Sequence, residues 1–195
     1  PRVVAVCPGR GAYGRAELGT LGGPRRPEAQ ALLDVADAAR AAAGRPLVRD
    51  LDAAERFQPR VHLASDNAST LIYTLSAMDS LRLDDVDVVA VVGNSLGWYT
   101  ALHVGGALPF ADGLRIVEAT GADQAAHGVG GQLIHPLTDD TWRPEPELAS
   151  ALAAALAQGR ARGFAEPSVL LGGSMVVAGD EAGLSAVRGA LPRTE

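Results

Sequence analysis

Cysteine occurs once in this 195-residue chain, methionine and tryptophan twice each, and aromatic residues make up only 4% of it. A lone Cys7 excludes an intramolecular disulfide and fits a reducing compartment, so a cytoplasmic protein is expected. No apolar run reaches the roughly 20 residues of a membrane span. The first residues do not read as a charged-then-apolar leader, and no membrane partner is expected. Lysine is absent; beside abundant Ala, Gly and Arg this is a coding bias without functional content. A net charge of −6 and the lack of a basic stripe argue against nucleic acid as a partner. The chain also lacks an initial methionine. It opens at Pro1 directly into a strand pattern, as a cut or processed piece would.

Glycine is plentiful, with 23 residues, and two glycine groups follow apolar runs. Residues 88–92 (VVAVV) predict a fully buried strand of a parallel sheet. The run enters Gly93-Asn94-Ser95-Leu96-Gly97 and then a helix over 98–104. Strand, G-x-S-x-G and helix in that order predict a nucleophile elbow. The turn is so tight that its flanking residues must be tiny, and it lifts the Ser95 hydroxyl clear of the sheet. The helix amino end then leaves the Leu96 N–H free for an oxyanion. A buried, hydrogen-bonded serine in a Gly-rich turn is the plain alternative.

Residues 3–7 (VVAVC) predict a second buried strand, with Cys7 in the core. Gly9, Gly11 and Gly14 follow it, in a loop that either turns sharply or supplies a second oxyanion N–H. No G-x-x-x-x-G-K-[ST] phosphate loop is present. A helix over 28–43 places Ala31, Leu32, Val35, Ala39 and Ala42 on one face and is closed by Gly44. Residues 48–60 are ambiguous. Ser65 or Asp66 caps a helix to about 80 whose stripe is Leu71, Ile72, Leu75 and Met78. His62 precedes it as a surface or loop histidine. His103, eight residues past Ser95 on the elbow helix, points away from the serine.

From residue 130 the pattern changes. A strand over 131–137, a helix over 145–158, strands over 168–171 and 174–178 about Gly172-Gly173, and a helix over 180–190 follow in turn. That order, βαββα, is a ferredoxin-like split unit lacking its last strand. The chain ends at Glu195 where that strand would begin, so a longer polypeptide is expected. His127, His135, Asp139 and Asp140 fit no ligand spacing; they read as polar loop, with no metal. Arg160, Arg162, Arg188 and Arg193 read as a solvated face that an acidic carrier protein could meet.

Together these residues resemble the malonyl-CoA:acyl-carrier-protein transacylase family and the acyltransferase domains of polyketide synthases. The family's opening F-P-G-Q-G-S-Q is Cys7-Pro8-Gly9-Arg10-Gly11-Ala12-Tyr13 here. Its G-H-S-[LM]-G-E-Y elbow is Gly93-Asn94-Ser95-Leu96-Gly97-Trp98-Tyr99. Its F-A-D-A-V-R-L-V-E-x-R-G helix is matched from Phe110 to Gly121. The resemblance implies an α/β fold: an α/β-hydrolase-like parallel-sheet core over 1–127 and an incomplete ferredoxin-like subdomain over 128–195. It implies ping-pong acyl transfer from acyl-CoA, through an ester on Ser95, to the phosphopantetheine thiol of an acyl carrier protein, with no bound cofactor. The backbone N–H groups of Leu96 and Arg10 would be the oxyanion donors. Asn94, Thr120 and Trp98 would face the substrate.

Three departures bear on that expectation. The family's general-base histidine follows the ferredoxin-like segment, and none of the four histidines here matches it; without a base, a serine hydroxyl is a poor nucleophile, so these residues alone are expected to be nearly inert. Thr120 stands where an arginine pairs with a malonyl carboxylate, so a neutral acyl group, or a carboxylate bound by a residue such as Arg10, is admitted. Asn94 replaces a histidine and can hydrogen-bond but not titrate. Two other readings fit the same residues: a serine thioesterase or esterase on a similar core, and a non-catalytic acyltransferase-like binding protein.

Overall fold

Two compact units make up the chain, Pro1–Gly128 and Val129–Glu195. The structure, a computed structural model, describes residues 1–192; Arg193 lies outside them. It is a mixed α/β protein with one parallel and one antiparallel sheet. No helix among the described residues is long and apolar enough to cross a membrane.

In the first unit the two apolar runs pair in parallel. Strand β1 (Arg2–Cys7) runs beside β2 (Asp87–Gly93) from Arg2↔Asp87 to Cys7↔Gly93, with one irregularity between Val3 and Val4. Alternation divides their side chains between two faces. Val3, Ala5, Cys7 and Val91 are buried or half-buried. On the other face Val4, Val6 and Val92 are 51%, 75% and 47% exposed. The strand β2 is therefore not the fully buried strand that its sequence predicts. Among the described residues helices cover only one face of the pair, and the continuous apolar run reports a demand for cover on both.

The helices of this unit are α1 (Pro27–Ala42), α2 (Val48–Asp52), α3 (Pro59–His62), α4 (Ser65–Ser80), α5 (Leu96–Val104) and α6 (Phe110–His127), of which α5 packs on both strands. Proline at the first position starts α1, and Gly44 follows its end at φ 65°, a left-handed conformation suited to glycine. Helix α4 buries Leu71, Ile72 and Met78 as predicted, with Leu75 half-buried. Helix α1 differs. It buries Ala29, Leu33, Ala36, Asp37 and Arg40, while Ala31, Val35, Ala39 and Ala42 face solvent and Leu32 is half-buried. The helix is rotated from the most apolar stripe because two of its charged side chains find partners inside.

Arg40 is fully buried. It donates to Asp66 O at 2.8 Å and to Glu118 Oε1 at 2.9 Å, and also bonds Pro46 O and Asn67 Oδ1. Glu118 accepts in addition from Arg45 and Thr70. Asp37 accepts the Val48 N–H at 2.7 Å, capping α2, and pairs with Arg49.

His62 also departs from expectation. It is 1% exposed, not a surface residue. Its Nε2 is 2.9 Å from Leu51 O and its Nδ1 is 3.0 Å from Gln58 N. A neutral imidazole protonated at Nε2 satisfies both, a tautomer assigned from the partners.

The second unit contains β3 (Gly131–Pro136), α7 (Pro146–Arg162), β4 (Ala165–Leu170), β5 (Ser174–Gly179) and α8 (Glu181–Ala190). The strands form an antiparallel sheet in the order β3-β5-β4, with Gly172 at φ 62° in the β4–β5 turn. Leu152 and Leu156 of α7, Val177 of β5, and Leu184 and Val187 of α8 make its core. Asp180 caps α8 by accepting the Gly183 N–H at 2.7 Å. Arg160 forks onto Glu166 at this unit's surface.

Candidate active site

The turn between β2 and α5 is built by exclusion. A Cβ on Gly93 would fall 2.0 Å from Gly97 O, and one on Gly97 would fall 2.2 Å from Cys7 O. Neither position admits a side chain. Between them Ser95 takes φ 55°, ψ −124°, a conformation that L-residues rarely adopt. Ser95 and Asn94 are exposed, whereas Leu96 and Gly97 are buried. A strained, exposed serine between two close-packed glycines is a side chain held out of the fold.

Leu96 is the first residue of α5, so its N–H has no intrahelical acceptor and points out of the helix amino end beside Ser95. The Pro8-Gly9-Arg10 loop leaves the end of β1, which pairs with β2 through Cys7↔Gly93. A Cβ on Gly9 would be 3.6 Å from Asn94 O, so this loop passes against the elbow. Arg10 begins a 3-10 turn, Arg10–Ala12, and its N–H likewise has no acceptor within that turn. Two N–H groups without acceptors in their own turns, on loops that leave adjacent strand ends, are the parts from which an oxyanion site is made.

The other candidates are dispersed. Trp98 is 59% exposed on α5. Thr120 is an exposed residue of α6 whose hydroxyl donates to Ile116 O at 2.9 Å and Val117 O at 3.2 Å, so its hydrogen goes to its own helix. Among the described residues no histidine hydrogen-bonds Ser95. His62 is enclosed as above. His103 Nδ1 is 3.1 Å from Leu108 O, with its ring 5.5 Å from Phe110. His127 pairs with Asp123 at 2.9 Å, and His135, 3% exposed in β3, is 3.3 Å from Leu148 O. Asp139 accepts from Thr141 and Arg143 in a turn, which holds its carboxyl below the usual carboxylate range. Burial pushes the Cys7 thiol up, away from a reactive thiolate.

Sequence reasoning missed two polar side chains that are buried or half-buried and fix the elements around the candidate residues. Asp52, 1% exposed, accepts from Tyr13, whose residue closes the 3-10 turn. Glu118 fixes α6 two residues before Thr120. No local pattern marks either, since their partners come from distant segments.

No protein-family model matches the sequence, and no curated protein matches it. Among solved structures the chain is similar to the acyl-carrier-protein S-malonyltransferase of Burkholderia pseudomallei, at 27% identity and TM-score 0.69, over 97% of this chain and 59% of that one. It is similar to the malonyl-CoA:ACP transacylase of Synechocystis at 22% identity and TM-score 0.68, over 100% of this chain and 60% of that one. A loading acyltransferase from the avermectin modular polyketide synthase aligns at 21% identity and TM-score 0.70, over 97% and 57%. The chain thus resembles the malonyl-CoA:acyl-carrier-protein transacylases in structure as in motif, and spans about three-fifths of the length of these relatives.

Proposed function

We propose that this chain carries the nucleophile and oxyanion half of an acyltransferase that moves an acyl group from CoA to the phosphopantetheine thiol of an acyl carrier protein. One observation carries the reading: Ser95 is held exposed at φ 55°, ψ −124° at the amino end of α5, with the Gly9 loop passing against the same turn. Ser95 Oγ attacks the thioester carbonyl and loses its proton to a base. The carbonyl oxygen becomes an oxyanion between the Leu96 and Arg10 N–H groups. Collapse breaks the C–S bond and releases CoA as the thiol, leaving an acyl ester on Ser95. The carrier thiol then repeats the addition and leaves with the acyl group. The donors belong to the backbone, so arginine at position 10 does not remove that role. Acyl-CoA and a carrier protein are the partners this scheme requires, and no bound cofactor enters it.

The non-catalytic reading has one observation in its favour: among the described residues every histidine is engaged away from Ser95. Intact-mass measurement on the full-length native protein separates the two. The chain is incubated in turn with malonyl-CoA, acetyl-CoA and a longer acyl-CoA. A single acyl adduct, absent in Ser95→Ala and discharged by carrier protein, supports the transferase. Discharge by water alone makes it a hydrolase, and no adduct from any donor overturns the catalytic reading.

A further inference from the structure

The loop that would supply the second oxyanion donor is tied down by a buried cluster that the scheme above does not use. Tyr13 directly follows the 3-10 turn begun by Arg10 and is 2% exposed. Its hydroxyl donates to Asp52 Oδ1 at 2.6 Å. The same carboxylate accepts from Thr20 Oγ1 at 3.2 Å and from the Leu21 N–H at 2.7 Å. The Asp52 backbone carbonyl accepts the Gly19 N–H at 2.9 Å. One buried residue at the end of α2 thus gathers both ends of the segment 13–21. Burial first, and Asp52 second, push the Tyr13 hydroxyl above its ordinary value, so it remains a donor.

The ring of Tyr13 is held as firmly as its hydroxyl. It lies 6.3 Å from the His62 ring at an interplanar angle of 7°, and His62 lies 5.0 Å from Phe57. His62 is itself bonded to Leu51 O, one residue before Asp52. The end of α2 therefore grips Tyr13 twice, directly through Asp52 and indirectly through His62.

We infer that Tyr13 and Asp52 are positioning residues, holding the Gly9–Ala12 loop so that the Arg10 N–H meets the oxyanion formed at Ser95. This rests on the acyl-serine reading. The physical need is clear: an oxyanion donor works only when fixed near its productive position, within about 0.5 Å, and a glycine-rich loop cannot fix itself. A hydrogen bond to an ionised carboxylate is roughly twice as strong as a neutral one. It anchors the loop three residues from the donor.

The test uses the full-length native protein and two variants. Tyr13→Phe keeps the ring on His62 and removes only the hydroxyl. Asp180→Asn is the control, since Asp180 caps α8 in the second unit and makes none of the contacts to segment 13–21. Two readouts are taken: hydrogen exchange of the Ala12 amide, which bonds Gly9 O at 3.1 Å, and single-turnover acylation of Ser95 across acyl-CoA concentration. In Tyr13→Phe, Ala12 exchange should quicken roughly tenfold or more. The limiting acylation rate should fall by a similar factor, roughly tenfold, with the half-saturating acyl-CoA concentration unchanged. Asp180→Asn should lower Tm and leave both readouts at the wild-type value. Unchanged Ala12 exchange in Tyr13→Phe, or the same change in both variants, would overturn the inference. A wild-type chain that takes up no acyl group overturns the proposed function instead, and the exchange comparison still decides whether Tyr13 clamps the loop.

Discussion

Gly97 of α5 meets the carbonyl of Cys7 so closely that a Cβ would stand 2.2 Å from its oxygen. The first turn of the elbow helix and the last residue of β1 are in backbone contact. Gly97→Ala must therefore push the strand and helix apart, and we expect a loss of about 3 kcal/mol in urea unfolding. A cost below about 1 kcal/mol would mean that this seam gives way freely.

Ser95 is strained, and its strain is separable from its chemistry. Ser95→Gly relieves the left-handed backbone, whereas Ser95→Ala keeps it. Both remove the hydroxyl. The glycine variant should be more stable than the alanine variant by about 1 kcal/mol. Equal midpoints in chemical denaturation would show that the surrounding turn imposes no penalty.

Arg40 and Glu118 test the buried ion pair. Arg40 is 0% and Glu118 15% exposed at the side chain. Glu118→Gln leaves a buried guanidinium without its counter-charge and should cost about 3 kcal/mol. The combined Arg40→Met, Glu118→Leu variant should cost less than the sum of its parts. Because the pair is buried, added salt should change the single-variant cost little. A cost that vanishes in 1 M salt (about a 3 Å screening length) would make this an exposed pair instead.

Asp180 sets an acid limit on the second unit. Its carboxyl accepts the Phe164 N–H at 3.0 Å and the Gly183 N–H at 2.7 Å, and these bonds hold it below the ordinary aspartate value of 3.8. A carboxyl whose folded-state value is depressed adds stability in full above its unfolded value. That stability is lost as pH falls through the folded value. Unfolding midpoints should therefore drop on acidification from about pH 5 downward. Asp180→Asn should flatten that slope while lowering stability near neutrality. Parallel acid slopes for parent and variant would remove Asp180 from the account.

Local pattern carried most elements to within a few residues, and the reasons are visible in particular stretches. The run 88–92, the tiny residues at 93 and 97, and the leucine spacing of α7 are short-range signals. The face of α1 was not legible, because Arg40 turns inward to meet Glu118, 78 residues away. Nothing near Arg40 announces that partner. His62 read as a loop residue for the same reason: the rings that enclose it, Tyr13 and Phe57, reach it through tertiary packing. The serine of the candidate site was legible because an elbow is a local object. The clamp on its companion loop was not, since Tyr13 and Asp52 are 39 residues apart.

Cys7 ends β1 at the seam that Gly97 closes, and the residue is 8% exposed. As the chain's single cysteine, it makes the protein its own stopwatch. A thiol reagent can react there only when the end of β1 opens to solvent, so the labelling rate counts excursions next to the Ser95 turn. Anything that settles on the elbow, substrate or covering polypeptide, should lengthen the interval between them.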